Sequence, residues 1–199
     1  MPSYGIGSVR TESDNKLSLL EEEEFGALNN KRIAFLGLFV ALAFVLSYIE
    51  FLLPLNIGIP GAKIGIANLA VMVTLYTVGE KDAIALSIIR VILVGLTFGN
   101  VSMMMYSLAG AALSLVAMLI AKKTGKLSIT GVSILGGVFH NVGQIIVAML
   151  VLETSILYYY LPFLIIIGAF TGVVIGIVAN LITMRVRRVM NNLQEEAPR

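Results

Sequence analysis

Six apolar stretches divide the chain between Ile33 and Met184, at about 33–53, 63–78, 83–98, 101–121, 129–152 and 161–184. A helix of roughly 20 apolar residues crosses the hydrocarbon core of a bilayer. In hydrocarbon every backbone polar group must be bonded within its own helix or within a closed barrel. The pattern therefore predicts an all-α integral membrane protein, a bundle of six transmembrane helices. Composition agrees, because 58% hydrophobic residues, 13% charged residues and a mean hydropathy of +0.93 are too apolar for a soluble domain of this size. The stretches 63–78 and 83–98 lie near the short end for a span, which implies local thinning or burial inside the bundle.

The connections between the stretches are turn-like. Pro54 to Ala62 holds two Pro and two Gly and predicts a structured, irregular loop after the first span, which ends at Glu50 and Pro54. Gly79 to Asp82, Gly99-Asn100 and Lys122 to Lys126 break the next three. The link Glu153-Thr-Ser155 leads into Tyr158, Tyr159, Tyr160 and Pro162, an aromatic cluster of the kind that sits at a headgroup belt. Residues 1–30 read as a polar, solvated tail with one short amphipathic turn, 31–188 as the membrane domain and 189–199 as a second polar tail. The start lacks the basic and apolar regions of a secretory signal, so the first span is expected to stay attached.

Of the 14 Lys and Arg, all but Lys63 and Arg90 fall in the two tails or in the loops after the second and fourth spans. An even number of spans puts both tails on one side, and cytoplasmic loops carry the excess of Lys and Arg. Both termini are thus expected in the cytoplasm, with the Pro/Gly loop and the Tyr cluster facing outward across the cell membrane.

Polar side chains within the spans carry the functional signal, because at bilayer depth they are costly and usually face a bundle interior or a cavity. The fifth span holds the single histidine, His140, with Asn141 beside it and Gln144 one helical turn on. Arg90 lies eight residues from Phe98, about 12 Å along a helix, too deep to reach the surface easily. A guanidinium there keeps its charge and needs partners, either helix-stapling carbonyls and Glu50 or an anionic or electron-rich ligand. Ser87 and Thr97 fall near the same helix face. Lys63 at the start of the second span is an interfacial anchor or a second positive charge at the mouth, and Asn68, five residues deeper, is a pocket group or an interhelical hydrogen-bonding group. Glu50 can pair with Lys63 or Arg90. His140 is a proton carrier, a ligand contact or a core histidine. Without acidic or Cys companions at ligand spacing it does not point to a metal.

Small residues recur at helix-packing intervals, with Gly168, Gly172 and Gly176 in the sixth span and Gly37 and Ala41, then Ala43 and Ser47, in the first. Each stripe serves packing within the monomer or a partner surface, and the sixth-span glycines also suit a self-associating scaffold.

Enzyme chemistry is poorly provided for. Asp14 and Asp82 are the only aspartates and neither lies in a span. The chain has no Asp-rich diphosphate motif, no Walker A loop, no serine elbow and no Cys for a nucleophile, disulfide or thiolate site. Nothing calls for nucleic acid, a metal or a cofactor, and ATP-driven work would need a separate subunit.

The segments Pro60-Gly-Ala-Lys-Ile-Gly-Ile-Ala-Asn68, Ile89-Arg90, Ser107-Leu-Ala-Gly110, Gly131-Val-Ser-Ile-Leu-Gly136 and Phe139-His-Asn-Val-Gly-Gln144 resemble the Gx transporter family, often labelled heptaprenyl diphosphate synthase component I. The resemblance covers about residues 32 to 185. That family is similar in plan to the substrate-binding S-components of energy-coupling-factor transporters, which capture vitamins from outside under a first-loop lid and bind a transmembrane coupling subunit with two ATPases. S-components typically dock through Ala-x-x-x-Ala in the first span, where this chain has Gly37-x-x-x-Ala41.

The resemblance implies a transporter subunit, not an enzyme in its own right. Arg90 and Lys63 would attract a small polar or anionic ligand that is vitamin-like, flavin-like or isoprenoid-related. His140, Asn141, Gln144, Asn68 and Glu50 would orient it, and Gly37 and Ala41 would meet the partner. The alternative it implies is an accessory membrane subunit of isoprenoid or quinone biosynthesis or of flavin-based electron transfer, partnered by a soluble prenyl synthase or a redox flavoprotein.

Overall fold

The computed structural model describes residues 12–52 and 65–195, with side chains at 30, 32–52 and 65–188. Among them the secondary structure is entirely helical: α1 (Glu12–Leu52), α2 (Asn68–Thr77), α3 (Glu80–Thr97), α4 (Val101–Thr124), α5 (Ile129–Val151), a 3-10 turn (Ile156–Tyr160) and α6 (Leu161–Glu195). The Pro54 to Ala62 loop and Lys63 lie outside the described residues.

The chain divides into two units, Met1–Gly37 and Leu38–Arg199. In the first, the backbone is helical from Glu12 onward, more than the one short amphipathic turn that the sequence suggested within a solvated tail. The Leu- and Glu-rich run from Lys16 to Glu24 consists of strong helix formers, and a helix that propagates from an existing end avoids the cost of nucleation. The second polar tail is likewise helical as far as Glu195.

The second unit holds the bundle. Four stretches, Arg32–Leu52 (which begins in the first unit), Val101–Thr124, Ile129–Val151 and Ile156–Arg188, are long and apolar enough to cross a membrane. The two short elements behave differently. At ten residues α2 spans about 15 Å, half of a hydrocarbon core. Every residue from Ala70 to Leu75 is buried, so α2 hides all its faces in protein, chiefly against α3 and α6. Buried length replaces spanning length, as the short apolar stretch suggested.

Local chemistry sets the ends. Asn100 accepts from the Met103 N–H at 2.8 Å to start α4, and Ser128 accepts from the Gly131 N–H at 3.2 Å to start α5. Gly125 ends α4 at φ 65°, a left-handed conformation that glycine adopts without strain. The C-terminal carbonyls of α2 are met from neighbouring helices. Lys122 of α4 donates to Leu75 O at 3.0 Å, and Arg187 of α6 donates twice to Tyr76 O, at 3.2 and 2.8 Å. These cations stand where a helix C-terminus is negative.

Glycines bring α5 into backbone contact with both neighbours. Toward α6, a Cβ on Gly137 would collide with the Gly168 carbonyl, and Cβ atoms on Gly172 and Gly176 would meet Ile134 and Thr130 Cα at 2.6 and 2.7 Å. Toward α4, a Cβ on Gly143 would come 2.7 Å from Ala109 O and one on Gly110 2.8 Å from His140 O. Helices in lipid associate through such close packing rather than through a hydrophobic drive. The sixth-span glycines are therefore occupied within the chain, by α5, and do not form a free self-association stripe.

Candidate functional site

The middle of α3 presents Arg90, Val91, Val94 and Gly95 along one stripe, the spacing of a single helix face. Arg90 is only 6% exposed, and its Nε has no hydrogen-bond partner. An Arg at that depth is costly unless opposed, and the opposing charge comes from α1. Glu50, 7% exposed, lines the same cavity and acts electrostatically on Arg90. An acidic residue in the last turn of a helix is disfavoured by the helix dipole. Here the Gly65 N–H donates to Glu50 Oε1, tying the end of α1 to the approach of α2, and the guanidinium supplies the remaining compensation.

The polar wall of the cavity comprises Ser47 and Glu50 of α1, Arg90 of α3, Ser107 of α4 and His140 of α5. The remaining lining is apolar and soft, formed by Val91, Val94 and Gly95 with Met103 and Met104 from the first turns of α4. Gly95 matters sterically, because a Cβ there would touch the Met104 side chain at 3.0 Å. The cavity volume is about 20 Å³, room for one water-sized group. Unbranched Met side chains are the kind that yield when something larger enters.

Of the residues singled out from sequence, the fold gathers Arg90, Glu50 and His140 and separates the others. Asn141 turns to α6, where its Nδ2 donates to Leu164 O at 2.8 Å. Gln144 is buried against α4, where its Cγ would meet a Cβ on Gly110 at 2.7 Å, and its Nε2 has no hydrogen-bond partner. Asn68 is half-buried at the start of α2 beside Gly65, and Lys63 lies outside the described residues. Ser87 is buried off the cavity, and Thr97 donates to Leu93 O at 2.7 Å within its own helix. On α1, Gly37 is exposed with nothing within 4 Å of an added Cβ, and Ala41 is exposed in its own unit.

The soft wall was the part missed. Its signal was legible in principle, since Met103 and Ser107 lie four residues apart on α4, as Val91 and Gly95 do on α3. An aromatic latch was missed as well. The rings of Phe44, Tyr48 and Phe51 surround Phe98 at centroid distances of 5.5, 5.4 and 5.1 Å and fix the Glu50 end of α1 to the end of α3. Among the described residues no three His, Asp or Glu gather as metal ligands would.

Residues 39–182 match the family model described as heptaprenyl diphosphate synthase component I. None of the curated proteins matches the chain. Among solved structures, the fold is similar to that of the S component of a bacterial ECF transporter, with a TM-score of 0.51 and 20% identity over 84% of this chain and 99% of that one. At that identity the likeness is one of fold.

Proposed function

The chain belongs to the heptaprenyl diphosphate synthase component I family, and we propose that it acts as the membrane-embedded substrate-binding subunit of an energy-coupling-factor type transporter that takes up a small polar molecule. One observation carries this reading: three separate helices deliver Arg90, Glu50 and His140 to a single interior cavity, inside a fold similar to that of an S component. A bundle that only needed to hold together would not require opposed charges at that depth. In this reading Arg90 and His140 contact the ligand, Glu50 positions Arg90, and Met103 and Met104 yield to the ligand body.

The chain supplies no nucleotide-binding motif, so the energy source is a transmembrane coupling subunit with two ATPases. Ala41 is the residue proposed to meet that subunit, with Gly37 a separate candidate on the preceding turn. The distribution of Lys and Arg supports placement in the cell membrane with both termini in the cytoplasm.

A second reading has its own support, because the family description names a prenyl diphosphate synthase component. In it the protein is a non-catalytic membrane partner of a soluble prenyl synthase, or of a flavoprotein in electron transfer.

Native mass spectrometry of the gently purified full chain separates the two readings. Transport predicts a small molecule retained by the wild type and lost from an equally stable Arg90→Ala variant, with coupling and ATPase subunits in the same preparation. An empty wild type that co-purifies with a prenyl synthase or a flavoprotein would overturn it.

A further inference from the structure

The charges in the cavity also bear on the charge of its ligand. Arg90 and Glu50 are 6% and 7% exposed and line one space, so the positive charge that would draw an anion is already balanced inside the protein. Among the described residues Glu50 and Arg90 offset each other, and His140 is the one further titratable group in the lining. An anionic ligand would leave an uncompensated negative charge in a low-dielectric interior, and a cationic one would leave an uncompensated positive charge beside Arg90. The unmet demand is for a hydrogen-bond acceptor, because the buried Arg90 Nε is a donor without a partner. The same cavity is also lined by apolar residues with two deformable Met side chains, which accommodate an apolar or aromatic surface.

We infer that the ligand is net-neutral, presenting a carbonyl or ring-nitrogen acceptor to Arg90 and an apolar or aromatic body to Met103 and Met104. This rests on the cavity being the substrate site. It excludes free phosphates, diphosphates and simple carboxylates as the preferred cargo, and so argues against a prenyl diphosphate in this space. Glu50 is the determinant of that selectivity. Replacing it by Gln keeps an oxygen to accept from the Gly65 N–H while making the cavity cationic.

The test uses the full chain purified in detergent and a small-molecule cell extract separated by ion exchange into anionic, neutral and cationic fractions. Thermal unfolding is followed with each fraction. The neutral fraction is expected to raise the midpoint of the wild type by roughly 5 °C while the other two leave it unchanged. In Glu50→Gln the anionic fraction is expected to become the stabilising one. Stabilisation of the wild type by the anionic or the cationic fraction would overturn the inference while leaving the substrate-site reading intact. If no fraction stabilises the wild type, the substrate-site reading fails and the inference fails with it. The wild-type comparison decides the matter even if Glu50→Gln does not fold.

Discussion

His140 and Asn141 are neighbours in the chain and serve different helices: His140 lines the cavity shared with Arg90, whereas Asn141 donates to Leu164 O of α6 at 2.8 Å. About 100° of helical rotation separates them, enough to divide a binding role from a packing role. Asn141→Ala is expected to lower stability by about 0.6 kcal/mol, the average for interhelical hydrogen bonds in membranes, and by no more than about 1.7 kcal/mol, and to leave ligand-dependent stabilisation unchanged. His140→Ala is expected to abolish ligand-dependent stabilisation. Thermal unfolding of both variants with and without the stabilising fraction checks this.

Gly137 and Gly37 should respond in opposite ways to the same substitution. A Cβ at Gly137 collides with the Gly168 carbonyl, and backbone cannot yield as a side chain can, so Gly137→Ala is expected to cost about 1–3 kcal/mol by forcing α5 and α6 apart. At Gly37 nothing lies within 4 Å of an added Cβ. Gly37→Ala is expected to be neutral or stabilising by up to about 1 kcal/mol, the helix propensity difference. Denaturant titration in detergent measures both.

Lys122 and Arg187 donate to adjacent carbonyls at the C-terminus of α2, and Lys122 also pairs with Glu80 at 3.3 Å. Lys122→Met is expected to cost about 1 kcal/mol, as the loss of a half-exposed cation from a helix C-terminus. Arg187, being exposed, is expected to contribute about half as much. Since each can cover for the other at one helix end, the double variant is expected to cost more than the sum, which a double-mutant cycle reads.

Phe98 does not line the cavity, yet it holds the turn of α1 that carries Glu50. Phe98→Ala removes three ring contacts and is expected to destabilise by about 1–3 kcal/mol. It is also expected to weaken ligand binding several-fold, whereas Phe98→Leu restores packing volume and part of the binding. A binding titration on both variants at matched stability distinguishes this from general unfolding.

Ala41 tests the partner. It is exposed, so Ala41→Phe is expected to change stability by less than about 0.5 kcal/mol. It should also reduce the coupling and ATPase subunits that co-purify. An undiminished yield would remove Ala41 from the docking surface.

The apolar runs and their breaks were legible because they depend on local composition measured against a fixed bilayer thickness. Asn100, Gly125 and Ser128 end or begin helices for reasons contained in a few neighbouring residues. Sequence alone could also nominate Glu50, Arg90 and His140 as costly side chains requiring explanation.

Only the tertiary structure decided which of them meet. Neighbouring residues on a helix point to different partners, so the rotation of α5 between α4 and α6, set by Gly110, Gly143, Gly137 and Gly168, sends His140 to the cavity and Asn141 to Leu164. The short α2 stays within the bundle because its C-terminal carbonyls find Lys122 and Arg187 on other helices. The sequence by itself determined a membrane helix bundle with charges that had to be reconciled. The packing of distant segments, which no local pattern encodes, determined that Glu50 and Arg90 reconcile each other in a single space.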